Sequence, residues 1–281
     1  MISIDSIFKQ IDYLPSFNQV SFKALNLLKD KESHTKDIAD VIRFDPGLMA
    51  NILKLANSAY YARANEIIDL VGAINLLGRA KMVQILIISS TSRYFKNIAK
   101  GYEQIQGELW NHSISTGLIA EHLAYLEPET DKDFLFTAGI LHDIGKTVLS
   151  IWLSDLWNDI VYLVKSQSME FLDAEKKVLG FSHSQVSAAI LQRWAFPNNV
   201  VLAAKFHHDR KVHKNPYVRI IKLADYLSIL MGYMTSEDNL MYGGYDQLMS
   251  YYKIQSKDMQ VIMNDCFNII QKVIDDLGKI N

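Results

Sequence analysis

The stretch DPGLMANILKLANSAYY, residues 45–61, predicts an amphipathic helix with a recognisable N-terminus. Asp45 can accept hydrogen bonds from the free amides of a first helical turn, and Pro46 is tolerated at the first helical position. Leu48 and Ile52 then follow at helical spacing and begin a narrow apolar face. The segment therefore predicts a helix that buries one side against other parts of the chain.

The same apolar spacing of three and four residues recurs along most of the chain, and strand-like alternation is scarce. Only five of the 281 residues are proline. In the first half the predicted helices cover roughly 19–31, 36–44, 46–61, 67–78 and 79–95. Thr35 is the expected N-cap of the second of these helices, and Gly78 suits a left-handed cap at the end of the fourth.

In the second half the same pattern predicts helices over roughly 107–126, 134–153, 173–180, 184–196, 199–208, 216–233 and 259–278. A polar stretch between Lys96 and Gly107 separates the two halves. The sequence therefore predicts an all-α protein with an N-terminal helical bundle, residues 1–104, packed on a second helical bundle, residues 105–281.

Composition and charge exclude several classes of function. Apolar residues make up 49% of the chain and charged residues 21%, as expected for a globular protein. The 29 basic and 31 acidic residues give a net charge of -2, so the sequence offers no basic patch for a nucleic-acid backbone. Neither a GxGxxG nor a GxxxxGK[ST] loop is present. We therefore expect no nucleic-acid partner and no Rossmann or P-loop nucleotide site.

The sequence also favours a cytoplasmic location. Its single cysteine, Cys266, lies in an apolar helical pattern and has no disulfide partner. The N-terminus lacks a basic region followed by an apolar run, so no secretory signal is visible. Charged residues such as Lys81 interrupt the longest apolar stretches, and none is expected to reach the roughly 20 residues of a membrane span. We expect no membrane insertion.

Five of the eight histidines lie in the second half within apolar helical patterns, namely His112, His142, His183, His207 and His208. Any one of them alone is more simply explained as a hydrogen-bonded core histidine. His142 and Asp143 are adjacent, in GILHDIGK, where we expect a helix to end near Gly145; at such a bend both side chains can bind one cation. Mixed imidazole and carboxylate ligands suit iron, manganese, cobalt, nickel or zinc better than calcium.

This arrangement of histidines and aspartates resembles the HD superfamily of metal-dependent phosphohydrolases, whose four marks are matched by His112, His142, Asp143 and Asp225. GILHDIGK, the pair His207–His208 and KLADYL around Asp225 are more similar to the HD-GYP branch, in which extra histidines build a site for several metals. The resemblance adds two further ligands, His183 and, one helical turn before His112, Glu108. It implies one or two divalent transition metal ions, iron or manganese foremost, with zinc, nickel or cobalt as alternatives.

The chain also departs from that branch. After His208 it reads DRKVHKNPY, without the GYP triplet. Ser228 stands three residues after Asp225, where HD-GYP enzymes tend to carry a lysine that contacts the substrate phosphate. Hydrolysis of cyclic dinucleotides is therefore not expected. The remaining catalytic candidates are Asp143 and Lys146, and a lysine near a helix terminus could equally point into solvent.

Three motifs of the first half resemble the signature of HDOD domains: LPSFNQVSFKALNLLKD at 14–30, DPGLMANILKLANSAYY at 45–61 and AINLLG at 73–78. With the second half, an HD-type helical bundle, the resemblance spans about 14–230. HDOD proteins are bacterial signalling modules, so the resemblance implies regulation through contact with a signalling protein partner. It leaves three hypotheses: a regulatory module with a metal clamp, a metal-dependent phosphohydrolase acting on a nucleotide or cyclic nucleotide, and a metal-free scaffold.

Overall fold

The computed structural model describes residues 17–58, 60–61, 67–95, 102, 107–234 and 243–278, without the side chains of 151–155. Within these ranges the chain is helical and contains no strand, which confirms the all-α prediction. The described residues form two compact units, one made of 17–93 and 268–278, the other of 94–267. The predicted boundary at residue 104 lies outside the described residues, and the division into 1–104 and 105–281 stays a prediction.

The first unit contains four consecutive helices: α1 (Gln19–Lys29), α2 (Thr35–Ile42), α3 (Pro46–Ala56) and α4 (Leu70–Thr91). Helix α4 packs against the other three, and α1 packs against α2. Their facing side chains form an aliphatic core of Ala24, Leu25, Leu28, Ile38, Ile42, Leu48, Ile52, Leu55, Ala73 and Ile74. The apolar faces read from the sequence are thus the faces that the unit buries.

The ends of these helices are fixed by local hydrogen bonds. The Asp45 carboxylate accepts from the Leu48 amide at 2.9 Å, as predicted for the start of α3. Helix α2 begins one residue earlier than expected, because its N-cap is His34 and not Thr35. The backbone amide of His34 donates to the Asp37 carboxylate at 3.3 Å, which stabilises that first turn.

Gly78 interrupts α4 with a φ of 80° and a ψ of 163°, so the predicted end of a helix at this glycine is confirmed, but the ψ is not that of a left-handed helical cap. The next residue, Arg79, donates from Nη1 to the carbonyl oxygens of Leu27 at 2.9 Å and Asp30 at 2.8 Å. These carbonyls close the last turn of α1, where a cation is favoured by the helix dipole. The break in α4 therefore also serves to anchor α1.

One segment, Leu70–Phe95, is long and apolar enough to cross a membrane by length and composition, with a mean hydropathy of 1.5. This corrects the expectation that no stretch reaches that length. Half of its most apolar window is buried inside the protein, and Gly78 breaks the helix. Such burial is typical of the core helix of a globular unit, and the absence of membrane insertion stays an expectation.

The second unit begins with α5 (Glu108–His122), α6 (Lys132–Leu141), α7 (Ile144–Gln167) and α8 (Phe171–Leu179). It continues with α9 (His183–Arg193), α10 (Asn198–Phe206), α11 (Pro216–Leu230) and α12 (Tyr245–Tyr252). The boundary between the two units falls within the last helix, α13 (Ser256–Gly278). Helix α6 packs against α5, α10 and α11, while α9 packs against α7 and α10.

Candidate metal centre

The predicted ligands of the second unit lie at helix ends or on inward helix faces. His112 is on α5 and Asp225 is on α11, whereas His142 and Asp143 form the corner between α6 and α7. His183 is the first residue of α9, and His207 and His208 directly follow α10. The corner confirms that His142 and Asp143 lie at a bend, but α6 ends at Leu141, earlier than the predicted end near Gly145.

Two close helix contacts bring these side chains together. A β-carbon on Gly139 of α6 would lie 2.5 Å from the α-carbon of Gly117 on α5, so the two backbones approach as only glycines permit. A β-carbon on Gly145 of α7 would lie 2.2 Å from the carbonyl oxygen of His183. The Gly145 amide also donates to Ser187 Oγ of α9 at 2.8 Å. Glycine at 117, 139 and 145 thereby sets the separation of the ligand-bearing helices.

The first group of ligand atoms, called the His112 group below, consists of His112, His142 and Asp225. Its Nε2 atoms, on His112 and His142, are 3.3 Å apart. Asp225 Oδ1 lies 3.2 Å from His112 Nε2 and 3.8 Å from His142 Nε2. Two ligands bonded to one cation at about 2.1 Å lie about 3.0 to 3.5 Å apart, so the two shorter spacings suit a shared ion and the third is slightly longer.

The second group, called the His183 group below, consists of Asp143, His183, His207 and His208. Asp143 Oδ1 lies 3.4 Å from His183 Nε2 and 3.5 Å from His207 Nε2. His208 Nε2 is 3.0 Å from His183 Nε2. Four potential ligand atoms thus face one another at distances that a single cation can bridge.

Asp143, a member of the His183 group, also faces the His112 group through its second carboxylate oxygen. Oδ1 faces the His183 group, while Oδ2 lies 3.4 Å from His142 Nε2 and 3.7 Å from His112 Nε2. A carboxylate placed in this way can bridge two cations. The structure therefore brings seven of the eight predicted ligands into two adjacent groups, and their role as metal ligands stays a prediction.

Backbone carbonyls fix the orientation of three imidazoles. His112 Nδ1 lies 2.8 Å from the carbonyl oxygen of Tyr233, His142 Nδ1 lies 2.7 Å from that of Gly139, and His207 Nδ1 lies 2.8 Å from that of Ala204. Each carbonyl can only accept, so each Nδ1 carries the proton and donates it. The lone pair of Nε2 is then directed into the cluster, which is the tautomer that a metal requires.

Burial and charge hold three of these groups, His142, His208 and Asp143, in metal-binding protonation states. Burial lowers the pKa of His142 to about 3 and lowers that of His208 well below the ordinary value. Burial raises the pKa of Asp143, but His142 and Lys146 outweigh it and hold the pKa well below its usual range. His142 and His208 are therefore neutral and Asp143 is ionised near neutral pH, as ligands must be. Burial lowers the pKa values of His112 and His183 as well, but Asp225 and Glu175 outweigh it and raise them above the ordinary value.

Three polar atoms of the cluster have no hydrogen-bond partner among the described residues, although they are buried: Asp143 Oδ1, His207 Nε2 and Asp225 Oδ2. A buried carboxylate oxygen without a partner is costly, and native proteins rarely tolerate one. All three atoms face neighbouring ligand atoms of the cluster. The donor set and these unsatisfied atoms fit a bound divalent cation, and the chain has a buried histidine and aspartate cluster that could bind a metal.

The remaining site candidates take different positions. Lys146 Nζ lies 2.7 Å from Asp143 Oδ2 and its side chain is 3% exposed, so the alternative that it points into solvent is wrong. Glu108 is half-buried at the start of α5 and is in neither group; its role as a ligand stays a prediction. Ser228 is fully buried, and its Oγ lies 2.5 Å from Ser115 Oγ and 3.2 Å from His112 Nδ1.

Sequence reasoning missed Glu175 on α8. Its Oε2 lies 2.7 Å from His183 Nδ1, and its Oε1 accepts a hydrogen bond from the Tyr102 hydroxyl. The carboxylate is fully buried. Its segment, DAEKKVLG, carries no signal that distinguishes it from the exposed charged residues around it.

Solved structures share this fold. A Geobacter sulfurreducens HDOD domain protein of unknown function has a TM-score of 0.74 at 22% identity and covers 97% of this chain and 96% of its own. A Shewanella amazonensis protein, named provisionally as a phosphohydrolase, has a TM-score of 0.73 at 20% identity and covers 97% of each chain. A Marinobacter aquaeolei protein, named provisionally in signal transduction, has a TM-score of 0.74 at 20% identity, covering 95% of this chain and 59% of that chain.

The sequence relatives are longer than this chain. An uncharacterized Treponema pallidum protein is 23% identical over 261 residues, which is 90% of this chain and 48% of that protein. A Mycoplasma genitalium protein named ribonuclease Y is 28% identical over 159 residues, 56% of this chain and 27% of that protein. The chain thus spans half or less of the length of these relatives.

The family model of the HDOD domain matches residues 14–210, more than half of the chain. This chain belongs to the HDOD family.

Proposed function

We propose that this chain is a cytoplasmic regulatory HDOD protein that acts on a signalling protein partner through contact, and that a metal centre holds its second unit together. The observation that carries the metal assignment is the convergence of seven buried side chains from α5, α9, α11, the α6–α7 corner and the end of α10. The signalling role is supported by membership of the HDOD family. Neither nucleic acid nor membrane is part of the proposed mechanism.

The proposed ion is iron or manganese, with zinc, nickel or cobalt as alternatives. The ligand atoms are imidazole nitrogens and carboxylate oxygens, a set that suits these borderline cations. Cys266, the single cysteine, is on α13 and belongs to neither ligand group, so no thiolate selects zinc. The two ligand groups joined by Asp143 allow one ion or two.

The burial of the ligand side chains favours a structural metal that holds the helices together as a clamp. Every ligand side chain in the two groups is buried, and the most exposed of them, His208, retains 7% of its surface. A bound cation supplies charge that neutralises the buried carboxylates and joins helices distant in sequence. His112 and Asp225 contribute ligands from α5 and α11, and His183 from α9, so binding free energy adds to the stability of the folded unit.

A metal-dependent phosphohydrolase is the second candidate, and the geometry of Asp143 favours it. A carboxylate whose two oxygens face two ligand groups is arranged as in sites that hold a pair of cations. Lys146, whose Nζ lies 2.7 Å from Asp143 Oδ2, is the candidate residue for holding a phosphate there. Two features weigh against it: Ser228 is committed to buried hydrogen bonds, and the segment after His208 lacks the GYP triplet.

Elemental analysis of protein purified without chelator separates the three hypotheses when it is followed by a substrate panel. The panel contains a nucleoside triphosphate, a cyclic mononucleotide, a cyclic dinucleotide, an RNA oligonucleotide and a bis(nitrophenyl) phosphate ester. Bound metal without turnover supports the clamp, and bound metal with turnover favours the phosphohydrolase. Protein that contains no transition metal, and takes up none when supplied, contradicts both and leaves a metal-free scaffold.

A further inference from the structure

His183 is held differently from the other histidines of the cluster. Its Nδ1 faces Glu175 Oε2 at 2.7 Å, and its backbone amide donates to the same oxygen at 3.0 Å. The other carboxylate oxygen, Oε1, accepts from the hydroxyl of Tyr102. One buried glutamate therefore fixes both the ring and the backbone of His183.

Three of the other imidazoles have neutral partners at Nδ1. His112, His142 and His207 each donate from Nδ1 to a backbone carbonyl. A carboxylate accepts the same proton more strongly than a carbonyl, which makes the opposite nitrogen of the ring a better electron donor to a metal. On this argument Nε2 of His183 is a more basic ligand nitrogen than Nε2 of His112, His142 or His207.

The charge of Glu175 needs a partner as well. The residue is fully buried, and among the described residues it forms no ion pair with a lysine or an arginine. A buried carboxylate is stable only when hydrogen bonds and a nearby positive charge compensate it. His183 connects Glu175 to the other ligands of its group, so a cation on Nε2 would supply that charge across the ring.

Aromatic side chains pack around Tyr102, the residue that donates to Glu175. Tyr102 packs edge-on against Trp157, with ring centroids 5.6 Å apart, and also contacts Phe171 at 6.2 Å. Trp157 belongs to α7 and Phe171 to α8, and these two helices pack against each other. The hydroxyl of Tyr102 is thereby positioned on Glu175, and Glu175 on His183.

We propose that Glu175 is the positioning residue of the His183 group, and that it makes this group the tighter of the two metal sites and the first to be filled. The inference rests on the proposed function, because it requires that the cluster binds metal. The His183 group also has four ligand side chains, Asp143 included, whereas the His112 group has three.

Titration of metal-free full-length protein with cobalt(II) tests the proposal, because cobalt absorbs visible light when imidazole and carboxylate bind it. The variant is Glu175→Gln, which keeps the shape of the side chain and removes its charge. The matched control is Asp173→Asn, a neutralised carboxylate on the same helix whose side chain is 48% exposed. We expect Glu175→Gln to weaken the tighter class of cobalt binding by about 10- to 100-fold and to leave a weaker class unchanged. The control should bind as the wild type does.

Two results separate failure of the inference from failure of the proposed function. Wild-type protein that binds no cobalt contradicts the metal centre itself, and with it the role of Glu175. Wild-type protein that binds cobalt, with equal affinity in Glu175→Gln and Asp173→Asn, overturns only the inference. If Glu175→Gln does not fold, Tyr102→Phe provides the test, since it removes one hydrogen bond from Glu175 and should weaken the same class by a smaller factor; unchanged affinity in that folded variant also overturns the inference.

Discussion

Gly139 lies against Gly117 where α6 crosses α5, so closely that a β-carbon on Gly139 would be 2.5 Å from the α-carbon and 2.7 Å from the nitrogen of Gly117. Backbone atoms cannot move aside as a flexible side chain can. His112 lies on α5 before this crossing, and His142 follows α6 directly. The crossing therefore sets the distance between two imidazoles of the His112 group.

We predict that Gly139→Ala lowers the free energy of unfolding by about 1–3 kcal/mol, because the added methyl group forces the two helices apart. Chemical denaturation measures the effect. Gly72→Ala is the matched control, since its β-carbon would meet only the Asp69 side chain, at an ordinary 3.5 Å. That control should be neutral or stabilising by up to about 1 kcal/mol. Equal stabilities for the two variants would show that the close crossing is absent.

Joint replacement of His142 and Asp143 by alanine should remove the metal-dependent part of the melting temperature. Wild-type protein is expected to melt several degrees higher with manganese than with chelator, because a ligand at about 100 times its Kd adds about 2.7 kcal/mol to stability. The double variant should melt below wild type and respond to neither addition. An unchanged difference between manganese and chelator in the variant would exclude these residues as ligands.

Hydrolysis by this protein should be harder to detect than its stabilisation by metal. We predict that wild-type protein loaded with manganese or iron does not hydrolyse a cyclic dinucleotide, because Ser228 lies in a buried hydrogen-bond network and no GYP segment follows His208. Chromatography of the nucleotide products measures this. Robust metal-dependent hydrolysis, abolished in the double variant at an unchanged melting temperature, would instead favour the phosphohydrolase.

Lys222 gives a prediction for alkaline pH. Its ammonium group donates to the carbonyls of Asp209 and Gly243, and burial lowers its pKa from 10.5 to about 8. Between these values the unfolded chain binds more proton than the folded chain, so this lysine makes stability increase as pH rises. We expect the free energy of unfolding, measured by urea denaturation, to rise less or fall more between pH 8 and pH 10 in Lys222→Met than in wild type. Lys205→Met, at an exposed lysine, should follow wild type; if Lys222→Met does so too, the assignment is wrong.

Cys266 provides an independent check on α13. The thiol is buried, and burial raises its pKa to about 12, so thiolate is scarce at pH 8. We expect the folded protein to react with a thiol-specific disulfide reagent far more slowly than the same protein in guanidinium chloride, where the thiol should react fully. Rapid reaction of the folded protein would mean that this part of α13 is open to solvent.

The helices and the His142–Asp143 pair could be predicted from the sequence for identifiable physical reasons, whereas the remaining ligands were assigned through the resemblance to the HD superfamily. Helical spacing of apolar residues reports which face is buried, and Asp45, Pro46 and Gly78 mark helix ends by their backbone chemistry. His142 and Asp143 were recognisable because an adjacent imidazole and carboxylate at a bend is an unusual combination. These features are local, so they can be read without knowledge of the fold.

Glu175 could not be identified in that way. It stands within DAEKKVLG, where Asp173, Lys176 and Lys177 are exposed, and a lone glutamate in such a segment reads as part of a solvated face. Its burial arises because α8 packs on α7 and turns this one position towards His183. The same holds for the contact of Gly145 with Ser187, which depends on how α7 meets α9 and not on either helix alone.

The metal content of full-length protein purified without chelator tests the central claim most directly. Plasma mass spectrometry should find at least one iron or manganese ion per chain in wild type and in the exposed control Asp173→Asn. In Asp143→Asn, whose wild-type carboxylate faces both ligand groups, the metal content should fall to a small fraction of that value. Equal metal content in Asp143→Asn and wild type, or no transition metal in wild type even after supplementation, would contradict the account.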